Sequence, residues 1–173
     1  MPKLFIFCGV PGSGKSTIAK RVAIRLPNTV HIETDDIRSM VFNPTYTSSE
    51  SEFVYSSCIT LAGEALARGY DVILDGTFLR NEYRRDALRR LRGAYDSYLI
   101  VYLYCDVTIA YRRNTARKAR VPQDRFNQML PQIEVPTAAL KIDTGKVSAE
   151  QAAATILLQM DRDARKQSVV GDR

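Results

Sequence analysis

Gly9-Val10-Pro11-Gly12-Ser13-Gly14-Lys15-Ser16 completes the pattern G-x-x-x-x-G-K-[ST] and follows directly on the apolar run Leu4-Phe5-Ile6-Phe7-Cys8. Glycines in such a loop let the backbone curl so that its N–H groups converge on an anion, while Lys15 brings a positive charge and Ser16 a hydroxyl suited to Mg²⁺. The residues that follow, Ser16 to Leu26, carry Ile18, Val22 and Leu26 at helical spacing. Strand, loop and helix in this order are the context that the motif needs, and the helix N-terminus adds its dipole to the anion site. Gly9, Pro11, Gly12, Ser13, Gly14, Lys15, Ser16 and Thr17 are therefore expected to hold a nucleoside triphosphate.

Working outward, buried-type apolar runs alternate with amphipathic segments, which predicts an α/β fold with a parallel sheet. Five strands are expected, at Lys3 to Cys8, Thr29 to Ile32, Asp71 to Leu74, Tyr98 to Tyr104 and Leu140 to Asp143. Ser49-Glu50-Ser51-Glu52 reads as a capping box that opens a helix ending near Gly69, and Ser148-Ala149-Glu150-Gln151 as one that opens the last helix. Asn81 and Asp106 are expected to cap two more. Residues 113–137, punctuated by Pro122, Pro131 and Pro136, form the least regular stretch and the expected helical lid. No linker or repeat divides the chain, so residues 1–173 are expected to form one domain.

Composition narrows the class of partner. Net charge is +6 and the pI about 9.3, which favours anionic ligands, a phosphate-handling site or a nucleic acid among them. The excess is gathered at Arg84 to Arg92, at Arg112 to Arg120, and in the tail from Arg162 to Arg173. Cys8, Cys58 and Cys105 are odd in number and contain no C-x-x-C pair, so they read as small apolar fillers, without disulfide or zinc chemistry. His31 is the lone histidine and reads as a strand residue, not a catalyst. No apolar stretch approaches a membrane span and no signal-peptide pattern precedes the first strand, so no membrane partner and a cytoplasmic location are expected.

In open parallel sheets ligands gather outside the carboxyl ends of the strands. After the second strand comes Glu33-Thr34-Asp35-Asp36-Ile37-Arg38, in which Asp35 and Arg38 share a face if the chain turns helical. Asp35 could then take a proton from an attacking hydroxyl while Arg38 steadies an anionic acceptor; a surface ion pair or an N-cap by Asp35 or Asp36 is the plainer alternative. Asp75 ends Val72-Ile73-Leu74 in the manner of the strand-end acid that holds Mg²⁺, alongside Ser16. Gly76 stands where a motor ATPase would place a glutamate, which favours attack by a substrate hydroxyl over hydrolysis. The absence of N-K-x-D and T-K-x-D disfavours a guanine-specific GTPase. Arg113, Arg117 and Arg120 recur at i, i+4 and i+7 and could clamp a phosphoryl group or form a solvated face. Arg84, Arg85, Arg89 and Arg92 lie opposite Tyr83, Ala87, Leu88 and Leu91, so they read as the polar side of an amphipathic helix.

Taken together, Gly9 to Thr17, Thr34-Asp35-Asp36-Ile37-Arg38, Val72 to Thr77 and Arg113-Asn114-Thr115-Ala116-Arg117 resemble the P-loop kinases related to polynucleotide 5′-hydroxyl kinase. The resemblance implies a three-layer α/β/α P-loop NTPase fold with a five-stranded parallel sheet, and ATP with Mg²⁺ as the donor pair. It further implies Lys15 and Ser16 at the phosphates and Mg²⁺, Asp35 as general base, and Arg38 at the acceptor's phosphate. Arg117 would reach the transferred phosphoryl group and Arg113 the donor nucleotide. Where polynucleotide kinases tend to carry D-T-N, this chain has Asp75-Gly76-Thr77-Phe78, closer to the broad group of small P-loop kinases with differing acceptors. Arg120-Val121-Pro122 through Met129, with Val135-Pro136, also resembles the kinase half of seryl-tRNA kinases; neither a phosphatase half nor an RNA-binding C-terminal domain is expected in these residues. The leading expectation is an ATP-dependent kinase of a polynucleotide 5′-hydroxyl, DNA or RNA. A kinase of a small hydroxylated metabolite or antibiotic, or of an aminoacyl-tRNA, comes second, and a non-transferring ATP-binding regulatory module third. The loop Asp143-Thr144-Gly145 is the expected neighbour of the adenine.

Overall fold

A computed structural model describes residues 2–41, 43–117 and 120–170. Five strands form one sheet: β1 (Lys3–Cys8), β2 (Thr29–Glu33), β3 (Asp71–Asp75), β4 (Ser97–Tyr104) and β5 (Leu140–Asp143). All neighbours pair in parallel, in the order β2-β3-β1-β4-β5. Every expected strand is present, with β2 and β3 each one residue longer and β4 starting one residue earlier. The added residues are Glu33 and Asp75, which puts two carboxylates inside the carboxyl ends of paired strands.

The alternating side chains of the central strands feed two cores, so helices must cover both faces. Phe5, Phe7, Ile73, Val101 and Leu103 pack against α1 (Lys15–Arg25) and α7 (Ala149–Val170). On the opposite face Leu4, Ile6, Val72 and Leu74 meet α3 (Ser48–Ala67) and α4 (Asn81–Arg90). The result is the expected α/β/α sandwich. Burial pushes the thiols of Cys8 and Cys58 up, to about 11 and about 12, as suits inert core fillers. No helix among the described residues is long and apolar enough to cross a membrane.

Helix ends separate correct from incorrect sequence expectations. At the start of α7, Gln151 N donates to Ser148 Oγ (3.2 Å) while Ser148 N donates to Gln151 Oε1 (2.9 Å), the reciprocal box expected. Asp106 caps α5 (Val107–Thr115) by accepting from Thr108 N at 2.8 Å. The cap of α3 is Thr47 instead of Ser49, because Thr47 Oγ1 accepts from Glu50 N. Asn81 does not cap α4 either: it is the first helical residue, and its side chain accepts from Arg84. The Pro-punctuated segment carries α6 (Gln123–Met129) and a single 3₁₀ turn (Leu130–Gln132), held by Phe126 in a small core with Val10, Leu79 and Ala110.

Arg84 overturns the reading of its cluster as a solvated face. Arg85, Arg89 and Arg92 are exposed, but Arg84 is 3% exposed. Its guanidinium donates to the carbonyls of Phe78 and Leu79 (3.0 Å) in the irregular turn after β3 and to Glu134 O (2.6 Å), while Leu79 O also accepts from Glu134 N at 3.0 Å. Arg84 therefore fastens that turn to the chain beyond α6. Arg84→Ala takes the guanidinium from the carbonyls of Phe78 and Glu134, and equilibrium urea unfolding should show a loss of about 3 kcal/mol, whereas Arg85→Ala should be close to neutral.

Candidate active site

Above the carboxyl ends of β1 and β3 the Gly9–Ser16 loop wraps toward the N-terminus of α1, with Gly14 as its N-cap. At Gly12 (φ +79) a Cβ would stand 2.0 Å from Ala110 O, so the loop lies backbone to backbone on α5 and admits no side chain there. Lys15 folds back across the loop and its Nζ donates to Val10 O at 2.9 Å. The ammonium is buried, which lowers its pKa, while the charges of Asp75 and then Asp35 work in the opposite sense. Ser13 Oγ is fully buried and has no hydrogen-bond partner. A lone buried hydroxyl, a cationic lysine and a loop pressed flat on α5 fit a polyphosphate, which would give Ser13 the partner it lacks and Lys15 a directly contacting anion.

Asp75 and Ser16 both border the cleft beside this loop, and Asp75 is 2% exposed. A buried carboxylate one strand away from the loop fits a hard divalent cation, with Ser16 able to supply a second oxygen. Gly76 has a steric reason to follow it: a Cβ there would meet Thr34 Cγ2 at 2.6 Å.

The cleft encloses about 650 Å³. On one wall, α2 (Thr34–Ser39) presents Asp35 and Arg38. The helical turn on which their shared face depends is present, and both side chains line the cleft, but they have different partners. Asp35 stands exposed, with Arg117 Nη2 at 3.8 Å. Arg38 is paired with Glu50, also reaches Ser51 Oγ (3.4 Å), and lies over the Tyr46 ring at 4.8 Å. Glu50 simultaneously accepts from the N–H groups of Thr45 (2.5 Å) and Tyr46 (3.0 Å), pinning a loop in which Tyr46 has φ +57.

The expected Arg113, Arg117 and Arg120 stripe does not form. Helix α5 stops at Thr115, so Arg117 leaves the helical face and turns toward Asp35. Arg113 donates to Thr144 Oγ1 (3.1 Å) and Thr144 O (3.0 Å), and Thr144 Oγ1 in turn donates to Ser13 O at 2.9 Å. Arg113 thus braces the loop after β5 against the phosphate loop. Arg120 is exposed, Thr17 is exposed at the start of α1, and Lys118 of the same basic cluster lies outside the described residues, as does the tail end 171–173.

Three cleft-side residues escaped sequence reasoning. Glu50 reads as a helix-cap residue. Arg125 donates from Nη2 to Tyr46 O at 2.7 Å across the cleft, and its Nε is buried without a partner; only its place in the Pro-punctuated segment could have drawn attention to it. His31 lies with Nε2 3.1 Å from Asp75 Oδ2, a contact visible from sequence only to a reader who pairs the second and third strands.

These features coincide with a known family. Residues 4–136 match AAA_33, described as an AAA domain. The chain belongs to that family. A curated relative, L-seryl-tRNA(Sec) kinase of Methanococcus maripaludis, is 29% identical over 137 residues, covering 77% of this chain and 53% of its own. The chain thus spans about half the length of that relative. Among solved structures, APE1195 superposes with a TM-score of 0.79 at 20% identity, covering 93% of this chain and 96% of its own. A gluconokinase from Sinorhizobium meliloti 1021 gives a TM-score of 0.72 at 20% identity over 97% of each chain. The fold is that of the P-loop kinases.

Glu50 generates a pH prediction. Burial alone would raise its carboxyl, but the Thr45 N–H, the Arg38 guanidinium, the Thr45 hydroxyl and the Tyr46 N–H outweigh that and hold it below the usual glutamate range. A depressed carboxyl contributes order that is fully present above its unfolded value of about 4.3 and is lost as pH falls through the lower folded value. Deuterium uptake in residues 43–51 should therefore be constant from neutrality to about pH 5 once intrinsic exchange rates are corrected, then rise on further acidification; Glu50→Gln should raise it near neutrality and converge with the wild type in acid.

Proposed function

We propose that this chain is a magnesium- and ATP-dependent phosphotransferase that phosphorylates a hydroxyl of a compact anionic acceptor. The carrying observation is that Lys15, Asp75, Asp35 and Arg117 border one cleft. Lys15 and Ser13 would bind the outer phosphates, and Asp75 with Ser16 would hold Mg²⁺, which would supply charge neutralisation. Asp35 is exposed to the cleft and free to accept the proton of the attacking hydroxyl. Arg117 sits 3.8 Å from Asp35, in a weak exposed pair that exchanges readily for a phosphoryl oxygen. Arg113 organises the donor side through Thr144. Residues 113–137 act as the lid, with α6 contributing Arg125. The reaction belongs in the cytoplasm, where ATP is available.

The compact acceptor is favoured because the Arg125–Tyr46 hydrogen bond ties α6 to the loop before α3, leaving a bounded cleft of about 650 Å³, within the ~300–1,000 Å³ range of small-molecule sites. Arg38, Arg80, Arg117 and Arg125 on its walls call for a carboxylate or phosphate on that acceptor. The gluconokinase of the same fold accords with this. A second reading, an acceptor hydroxyl at the end of a nucleic acid, either a 5′-hydroxyl or an aminoacyl-tRNA, is favoured by the seryl-tRNA(Sec) kinase relative and by the +6 charge.

Phosphate transfer from labelled ATP should be followed with sugar acids, 5′-hydroxyl DNA and RNA, and seryl-tRNA as acceptors. The compact reading expects a sugar acid or similar hydroxylated anion to be labelled with little change between about 50 and 200 mM salt, whereas nucleic-acid acceptance should fall steeply over that interval. Asp35→Asn should lower turnover roughly 10²–10⁴-fold with ATP affinity retained. ATP consumption that never labels an acceptor would overturn the kinase assignment.

A further inference from the structure

His31 and Asp75 are joined by the sheet itself. Strands β2 and β3 pair with His31 opposite Ile73 and Glu33 opposite Asp75, so His31, Glu33 and Asp75 project to one face. That face is the α1 side, because Ile73 packs in the α1 core and Lys20 of α1 pairs with Glu33 at 3.1 Å. His31 Nε2 stands 3.1 Å from Asp75 Oδ2 and 3.8 Å from Glu33 Oε1, so it bonds the aspartate and not the glutamate. An ionised carboxylate only accepts, so Nε2 carries the proton and Asp75 receives it. The side chains are 14% and 2% exposed, and water is a poor substitute partner for Oδ2 there.

We infer that His31 is a positioning residue for Asp75: its Nε2–H anchors Oδ2 and so fixes the carboxylate that would hold the cation of a bound nucleotide. The inference rests on the reading of Asp75 as a magnesium residue. A carboxylate torsion is soft, so an unanchored Asp75 would spread over orientations that bind the ion poorly. Partners of ligating groups commonly contribute 10–100-fold to metal affinity. A histidine that merely fills the strand would change stability and leave that affinity alone.

The test uses the full chain with Mn²⁺ as the probe, titrated by electron paramagnetic resonance in the presence of a non-hydrolysable ATP analogue. His31→Leu should weaken Mn²⁺ in the ternary complex about tenfold or more, with metal-free nucleotide affinity unchanged. His31→Gln, whose amide N–H reaches about as far as Nε2, should restore binding to within a few-fold, whereas the shorter His31→Asn should not. The Gln and Asn pair carries the comparison if the leucine variant fails to fold. Wild-type Mn²⁺ affinity in His31→Leu or His31→Asn, alongside weakened binding in Asp75→Asn, overturns the role of His31. Unchanged affinity in Asp75→Asn overturns the magnesium reading itself and the inference with it.

Discussion

A buried ammonium persists only where anions answer it, and Lys15 is the buried ammonium around which this molecule is arranged. Its immediate contact is a neutral carbonyl, Val10 O, and its countercharges are the carboxylates of Asp75 and Asp35. Strand order supplies them. Because β3 lies directly beside β1, with Phe7 opposite Asp75, the strand-end acid arrives next to the loop that carries the lysine. Because β2 lies beside β3, the helix that follows it brings Asp35 to the same cleft. The close approach of Gly12 to Ala110 then fixes the loop against α5, whose far end leads to Arg117.

Three of the arginines around the cleft are held in ion pairs. Arg38 has Glu50, Arg80 has Glu82, and Arg117 has Asp35. These pairs are unequal. Arg38 and Glu50 also share Tyr46 and two backbone N–H groups, so their geometry is fixed in advance, which suits a residue that orients an acceptor. Arg117 and Asp35 are exposed at a longer separation, an arrangement that charges on the substrates can exchange. In the proposed reaction the fixed Arg38 pair would orient the acceptor and the looser Arg117 pair would yield to the transferred group.

Much of this was legible from sequence because it is local or periodic. The five strands follow from apolar runs, the phosphate loop from its glycines and lysine, and the Ser148 and Asp106 caps from side chains that bond a few residues away. What escaped depends on partners distant in sequence. Glu50 has the same local pattern whether it caps a helix or holds Arg38, and only the fold brings the two together. Arg84 belongs to a basic run, yet the carbonyls of Phe78, Leu79 and Glu134 and the side-chain oxygen of Asn81 draw it inside. His31 looks like any strand residue until β3 becomes its neighbour. The arginine stripe failed because α5 ends early, at a boundary that periodicity does not mark.

Whether Lys15 is kept buried for the sake of a triphosphate is decided by calorimetric titration of Mg·ATP into the wild-type chain and Lys15→Met, with melting recorded for both. The methionine variant should fold at least as stably, having shed a buried charge, and bind Mg·ATP at least about tenfold more weakly. Equal affinity in the two proteins would contradict this.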